Sequence, residues 1–209
     1  MKTFKESSRA GISAAIMAMV VLSAVGCGGL GHRLTPSERE LVMSSDGLMR
    51  VLLVTSREDS LLLRKHCTDL TAKDLQSEVY DRLACRMVAT VTDSTQDGVG
   101  LAAPQVGLNR RVVAVMRFDK PGYPFEVYPN IYIEYYSEET QTGPEGCLSI
   151  PGPAGEVERS QQIIIRYTDP ATLSAVRDTV DGYTAVIFQH EVDHLEGILF
   201  TDRLTDSKE

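Results

Sequence analysis

Apolar residues recur at helical spacing through residues 72–92, where they form one stripe along an otherwise polar segment. This periodicity predicts an amphipathic helix. The stripe consists of Leu75, Val79, Leu83, Met87 and Val88. After it come shorter runs rich in β-branched and aromatic residues, separated by Pro, Gly and acidic residues, and these predict β-strands. The runs are residues 111–116, 125–128, 131–136 and 162–168.

A second helical stripe ends just before Gly197, a residue type that commonly stops a helix. Its members are Tyr183, Val186, Ile187, His190, His194 and Leu195. Both histidines therefore belong to the predicted buried face. Positions four apart lie on one side of a helix with Cβ atoms about 5–6 Å apart, so both rings can reach one metal ion.

Glu191 follows the first of these histidines, in the sequence His-Glu-Val-Asp-His at positions 190–194. A carboxylate there is not needed to bind the ion. It can instead take a proton from water on the ion, whose pKa falls towards about 7. Two core histidines four apart also occur without a metal, so the prediction of a catalytic site depends on Glu191 and on a third ligand.

The third ligand must lie upstream. One class of zinc proteases continues the motif to a further histidine, but this chain follows that pattern only through Gly197 and has Phe200 at the last position. No histidine follows His194. Cys147 lies in a turn-like stretch, residues 145–152, between two extended segments. One cysteine and two histidines leave a fourth position for water or substrate, as catalysis requires.

Three segments resemble motifs of the peptide deformylase family, metal hydrolases that remove the formyl group from the N-terminal methionine of new bacterial polypeptides. The segments are Gly-Val-Gly-Leu-Ala-Ala-Pro-Gln at 98–105, Glu-Gly-Cys-Leu-Ser at 145–149 and Gln-His-Glu-Val-Asp-His-Leu-Glu-Gly at 189–197. The resemblance covers about residues 49–204. It implies an α+β fold in which antiparallel β-sheets surround a central helix that carries the His-Glu-x-x-His motif.

The resemblance also implies the metal and its ligands. By position, the ligands are Cys147, His190 and His194. Ferrous iron, one ion per chain, is the usual metal of the family. Sulfur and imidazole donors also permit zinc, nickel or cobalt, and the sequence does not choose among them.

The catalytic residues that the resemblance implies are Glu191 as general acid/base, with the Gln105 side chain and the Leu148 backbone N–H as oxyanion donors. The chemistry agrees, because a formamide carbonyl under attack becomes a tetrahedral oxyanion that needs fixed donors. A charge pair between Glu145 and Arg159 is expected to brace the cysteine turn. The implied substrate contacts, which line a groove for an extended peptide and a pocket for the methionine side chain, are Val99, Gly100, Val186 and Ile187.

The N-terminus resembles a secretory signal of the bacterial lipoprotein type. Lys2, Lys5 and Arg9 precede an apolar run, and small residues stand directly before Cys27, the residue that would be acylated. The predicted organisation is therefore a signal peptide at 1–26, a polar tether at 27–47 with a short helix at Pro36–Met43, and a catalytic domain at 48–209. We expect a membrane-anchored lipoprotein of the bacterial cell envelope. The alternative is a cytoplasmic chain with an unusual leader.

The net charge limits the class of molecule that the protein is expected to bind. A net charge of −8 argues against nucleic acid as a partner, and we expect a monomer that binds an N-formyl peptide.

Apart from Cys27 and Cys147, the chain has Cys67 and Cys85. They form either a disulfide or two inert buried thiols, and the second interpretation is favoured.

Three functions are therefore compared. The first is a metal-dependent hydrolase that removes the formyl group from N-formylmethionyl peptides. The second is an envelope amidase that keeps this chemistry but acts on another acyl group, since formylmethionyl chains are made in the cytoplasm. The third is a lipoprotein that binds peptides or metal without catalysis, although such a protein would have no reason to keep Glu191.

Overall fold

The computed structural model describes residues 32–96 and 98–205. The helices are α1 (Pro36–Met43), α2 (Arg57–Leu63), α3 (Ala72–Leu75), α4 (Glu78–Val91) and α5 (Gly182–Leu195). The strands are β1 (Gly100–Ala102), β2 (Val112–Met116), β3 (Phe125–Pro129), β4 (Tyr132–Tyr136), β5 (Thr140–Cys147), β6 (Ile150–Ser160), β7 (Gln162–Thr168) and β8 (Ala175–Asp181). Short 3-10 helices span Ala103–Val106 and Phe200–Asp202.

The strands form three small antiparallel sheets. Their strand orders are β1-β2-β3, β4-β7-β8 and β5-β6. The predicted α+β class with antiparallel sheets around the helix of the His-Glu-x-x-His motif is confirmed. Strand β7 has the predicted bounds, and β2, β3 and β4 each differ from the prediction by one residue at one end.

Strand β2 separates two layers of core packing. Val112 and Ala114 belong to the cluster that contains the buried face of α4, whereas Val113 and Val115 belong to the cluster around α5. Successive residues of a strand point to opposite faces, so the two helices lie on opposite sides of the sheet. The α5 cluster also contains Ile163 of β7. Helix α5 is thus packed between two sheets, which holds its histidines rigidly.

The helix predicted for residues 72–92 is wrong in one respect, because it is interrupted. Thr71 caps α3 by accepting from the Asp74 N–H, and Ser77 is extended at φ −110° and ψ 151°. The Ser77 hydroxyl donates to the Asp74 carbonyl at 2.6 Å, which closes the turn between α3 and α4. The apolar stripe did not reveal the break, since Leu75 and Val79 both reach the same core from the two helices.

Part of the predicted polar tether is packed on the domain. The short helix predicted at Pro36–Met43 is α1, and Thr35 at its N-terminus forms a capping box with Glu38. Leu34 and Val42 are buried in the core shared with α4. A few apolar side chains among charged ones are enough to dock a helix, so the packed region begins before residue 48. Cys27 and the predicted signal peptide lie outside the described residues.

Helix α5 ends at Leu195, two residues before the predicted stop at Gly197, which has φ +70°. A Cβ atom there would lie 2.5 Å from the Arg64 carbonyl oxygen, so both the backbone conformation and the space require glycine.

Within residues 32–96 and 98–205, none of the helices combines the length and apolarity needed to cross a membrane.

Among residues 32–96 and 98–205, the two cysteines outside the predicted metal site, Cys67 and Cys85, are not joined in a disulfide. Cys67 is buried, and burial raises the pKa of its thiol to about 12. Cys85 is exposed on α4, so the prediction of two buried thiols is correct for Cys67 and wrong for Cys85. Cys85 follows the buried Leu83 by two positions, which places it about 200° around the helix from the apolar stripe, on the exposed face.

Candidate metal centre and active-site cavity

Cys147, His190 and His194 converge at the end of the β5–β6 hairpin. Each offers one donor atom, and the three atoms lie within 4.8 Å of one another. The Cys147 Sγ and His194 Nε2 atoms are 3.3 Å apart, and the two imidazole centroids are 5.1 Å apart. The pleat and hairpin turn bring the cysteine from β5 onto the face of α5 that carries both histidines. Two nitrogens and one sulfur at this spacing fit a transition-metal ion.

The electrostatics of His190 also fit a cation at this point. Its Nδ1 atom lies 2.8 Å from Glu145 Oε2, a contact that orients the ring as carboxylates commonly do for metal-binding histidines. Burial by itself would lower the pKa of His190, but hydrogen bonding to Cys147 and Glu145 raises it to about 10. The surroundings therefore favour positive charge between the thiol and the imidazole.

The expected pair between Glu145 and Arg159 is present and buried. Arg159 donates from Nε to Glu145 Oε1 at 2.7 Å and from Nη2 to Oε2 at 3.0 Å. Burial would raise the pKa of Glu145, but Arg159 and His190 lower it to about 2. Arg159 also donates to Asp193 Oδ2 at 2.6 Å, and Arg203 binds the same carboxylate. Sequence reasoning missed Asp193, whose signal was an acidic residue on the helix one turn after His190.

Glu191 is buried beside the three candidate metal ligands. Its Oε2 atom has no hydrogen-bond partner among the described residues. Burial raises the pKa of this carboxyl group to about 7, although His190 acts in the opposite direction. A carboxyl group in this range can both accept and return a proton near neutral pH. Gly100 makes room for it, because a Cβ atom at position 100 would overlap the Glu191 carboxylate and contact Ile187.

The Gln105 side-chain amide lies next to the Cys147 thiol. Its Nε2 atom lies 3.5 Å from Cys147 Sγ and 3.2 Å from Ser149 Oγ, while its Oε1 atom accepts from the Ala102 N–H at 2.8 Å. These contacts fix the amide with its donor end towards Cys147, one of the candidate metal ligands. Leu148 follows Cys147 in the chain, and both residues line a cavity beside the Gln105 amide.

A cavity of about 370 Å³ lies above the site. The structure brings all four predicted substrate contacts together on its wall, and its lining combines apolar side chains with the polar groups already described. The lining residues are Gly98, Val99, Gly100, Gln105, Pro144, Glu145, Gly146, Cys147, Leu148, Tyr183, Val186, Ile187, His190 and Glu191. Tyr183, predicted to be part of the buried stripe, is 55% exposed at the edge of this cavity.

The model of a protein family described as polypeptide deformylase matches residues 51–209. The chain belongs to this family. Similar proteins include peptide deformylases from Leptospira biflexa and Thermotoga neapolitana. The first is 34% identical over 154 residues, and the second is 40% identical over 147 residues. Each match covers 70% of this chain and 84% of the relative. Peptide deformylase 1B of Arabidopsis thaliana, a chloroplastic and mitochondrial protein, is 41% identical over 66% of this chain and 51% of the relative.

Solved deformylase structures share the fold. A class I type b peptide deformylase from Acinetobacter baumannii has a TM-score of 0.67 and 38% identity, covering 75% of this chain and 99% of that one. The Thermotoga maritima enzyme has a TM-score of 0.65 and 34% identity, covering 76% and 98%. The chain is accordingly a hydrolase that removes the formyl group from N-formylmethionyl peptides, and its family implies a catalytic metal.

The close approach of Gly100 to Glu191 can be tested in this deformylase. Gly100→Ala would place a methyl group where the carboxylate lies, so we expect kcat for a formyl-Met peptide to fall about a hundredfold, the size of a general acid–base contribution. Metal content should not change. Gly143→Ala is the matched control on β5, because its Cβ atom would meet nothing within 4 Å. Equal kcat values for the two variants would contradict this role of Gly100.

Proposed function

We propose that Cys147, His190 and His194 hold the catalytic ion of this deformylase. The observation that carries the proposal is the convergence of one thiol and two imidazoles beside a buried carboxylate that lacks a full set of partners. When bound, the ion polarises the formyl carbonyl and lowers the pKa of water. Ferrous iron, one ion per chain, is the proposed native metal, and the sulfur and nitrogen donors also suit zinc, nickel or cobalt.

Glu191 is proposed as the group that moves the proton. It takes a proton from the attacking water, whose oxygen adds to the formyl carbon. It then gives the proton to the methionine nitrogen as the C–N bond breaks, which releases formate and a free amine. Its pKa near 7 suits both transfers at neutral pH.

Gln105 and the Leu148 backbone are proposed to stabilise the oxyanion that forms at the formyl oxygen. The contacts of Gln105 with Ala102 and Ser149 fix its amide before the substrate arrives. Such preorganised donors contribute most when water is excluded, and this amide is 1% exposed. Leu148 adjoins Cys147, so its N–H is placed at the same end of the hairpin.

The cavity is proposed to receive the methionine side chain. Val99, Val186 and Ile187 provide apolar walls, and the volume lies at the lower end of that of ligand pockets in proteins. Gly100 supports an extended peptide pairing with β1, because no side chain blocks its approach. A deformylase from Acinetobacter baumannii, 36% identical to this chain, has been solved with Met-Ala-Ser bound, which supports a peptide as the ligand here.

The first test of this proposal concerns the metal. Replacing Cys147, His190 or His194 by Ala removes one of three donors, so metal per chain should fall sharply by elemental analysis after dialysis. His66→Ala and His32→Ala are the controls, since neither histidine belongs to the site, and their metal content should match that of the parent. Full occupancy in Cys147→Ala would exclude this cysteine as a ligand.

The second test separates metal binding from chemistry. Glu191→Gln keeps the size of the side chain and removes the base, so we expect a folded protein with normal metal content and at least about a hundredfold lower turnover of formyl-Met peptides. The turnover is measured as formate released after fixed reaction times. Parallel assays on acetylated peptides distinguish a deformylase from an amidase of other acyl groups. Near-normal formate release by Glu191→Gln would refute its role.

We further propose that the chain is exported and held at the bacterial cell envelope by a lipid on Cys27. The N-terminal sequence supports this proposal, because basic residues at its start are followed by an apolar run and by small residues directly before Cys27. These features have no role in a deformylase that acts on nascent chains. The physiological substrate would then be N-formyl peptides outside the cytoplasm. The packed region from Leu34 onward leaves only a short connection to Cys27.

The location proposal is tested by fractionation and intact-mass analysis of the native protein. We expect it with the membranes, beginning at Cys27 and carrying added lipid mass. Cys27→Ser should abolish the lipid while the deformylase activity of the released protein is retained. An unmodified cytosolic protein that begins at Met1 would contradict export.

A further inference from the structure

The segment between α1 and α2 is hydrogen-bonded to both parts of the chain that carry the proposed oxyanion donors. The Leu52 N–H donates to the Gln105 carbonyl at 2.7 Å. Two residues later, the Val54 N–H donates to the Ser149 carbonyl at 2.9 Å. Ser149 follows Leu148, whose backbone N–H is the second proposed donor. Two residues of chain span at most about 7 Å, so these two hydrogen bonds limit the distance between the two donors.

Asp59 on α2 holds this segment in place. Its Oδ2 atom accepts from the N–H of Leu53, the residue between the two that bind the donor segments, at 3.1 Å. Both carboxylate oxygens also accept from the Arg50 guanidinium, at 2.7 and 2.8 Å. The Asp59 side chain is 5% exposed, so these protein groups replace most of its contact with water. One carboxylate therefore binds the segment at two points.

Helix α2 fixes the position of this carboxylate. The Ser56 side chain caps the helix by accepting from the Asp59 N–H at 3.3 Å, and Leu63 near its other end is fully buried. The helix packs against the 3-10 helix at Ala103–Val106, which contains Gln105. Packing and hydrogen bonding thus fix Asp59 relative to the Gln105 backbone.

Asp59 is outside the chemistry itself. It lines neither the substrate cavity nor the group of candidate metal ligands among the described residues. An effect on the reaction must therefore pass through the donors. Oxyanion donors contribute because they are in place before the charge develops, and a misplacement of about 1 Å can cost up to about a hundredfold in rate.

We propose that Asp59 is a positioning residue of the deformylase reaction, which fixes the spacing of the Gln105 amide and the Leu148 N–H through residues 52–54. The inference rests on the oxyanion role proposed for these two donors. Charge forms on the formyl oxygen only in the transition state, so the loss of Asp59 should lower kcat and leave KM nearly unchanged.

Asp59→Ala removes both sets of contacts of the carboxylate. We expect kcat for a formyl-Met peptide to fall at least about tenfold, with KM within about twofold of the parent and metal content unchanged. Asp74→Ala is the matched control, because Asp74 is also a buried carboxylate that accepts from a backbone N–H, that of Leu34, and pairs with an arginine, Arg39. It should lose thermal stability while its kcat stays within about twofold of the parent. Equal kcat values for Asp59→Ala and Asp74→Ala would overturn the proposal.

The Gln105→Ala background shows whether Asp59 acts through the oxyanion donors. Effects that pass through one group do not multiply, so the loss of kcat caused by Asp59→Ala should be at least about threefold smaller in this background than in the parent. Losses that multiply would overturn the proposal. A normal kcat in Gln105→Ala alone would refute the oxyanion role of Gln105, and this inference with it.

Arg50→Ala decides the question where Asp59→Ala does not fold. The Arg50 side chain is 70% exposed, so its removal should preserve the fold while it frees one side of the Asp59 carboxylate. We expect kcat to fall at least about threefold. Arg57→Ala, at an exposed arginine of the same helix as Asp59, should match the parent. The same kcat in both arginine variants would contradict the positioning role.

Discussion

The active site depends on the buried ionic contacts that join the β5–β6 hairpin to α5. Arg159 on β6 binds Glu145 on β5 and Asp193 on α5, and Glu145 in turn orients His190. Removing one partner of such a buried pair typically costs about 3–5 kcal/mol, because the other charge is left without compensation. The same contacts hold Cys147 against the histidines, so the stability of this region and the arrangement of the three candidate ligands have one physical origin.

The segment that carries Gln105 lies between two cavities of different character. On one side the Gln105 amide faces the candidate metal ligands, and on the other side Val106 and Gly107 line a second cavity of about 320 Å³. Leu52 connects the two, because it lines the second cavity and donates its N–H to the Gln105 carbonyl at 2.7 Å. The short segment after α1 therefore helps to support Gln105, although it begins outside the matched family region.

The sequence by itself determined the chemistry and the element that carries it. The spacing of His190 and His194 follows from the helical repeat, so their position on one face of α5 could be predicted without tertiary contacts. The end of that helix near Gly197 was equally local. Cys147 could be chosen as a candidate from its turn-like setting between two extended segments, and the resemblance to a family supported that choice. Its neighbours in sequence do not show that the hairpin turns it towards α5.

The tertiary structure decided the contacts between residues far apart in the chain. The periodicity did not predict the break between α3 and α4, because Leu75 and Val79 reach the same core. The hairpin β5–β6 is mostly polar, and its few apolar residues do not alternate regularly enough to predict two strands. The close approach of Gly100 to Glu191 and the hydrogen bonds of Arg86 with the carbonyls of Leu41 and Val42 depend on which surfaces meet. Periodicity reports contacts within a few residues, whereas burial, pKa shifts and cavities arise from packing between distant segments, and only the fold specifies that packing.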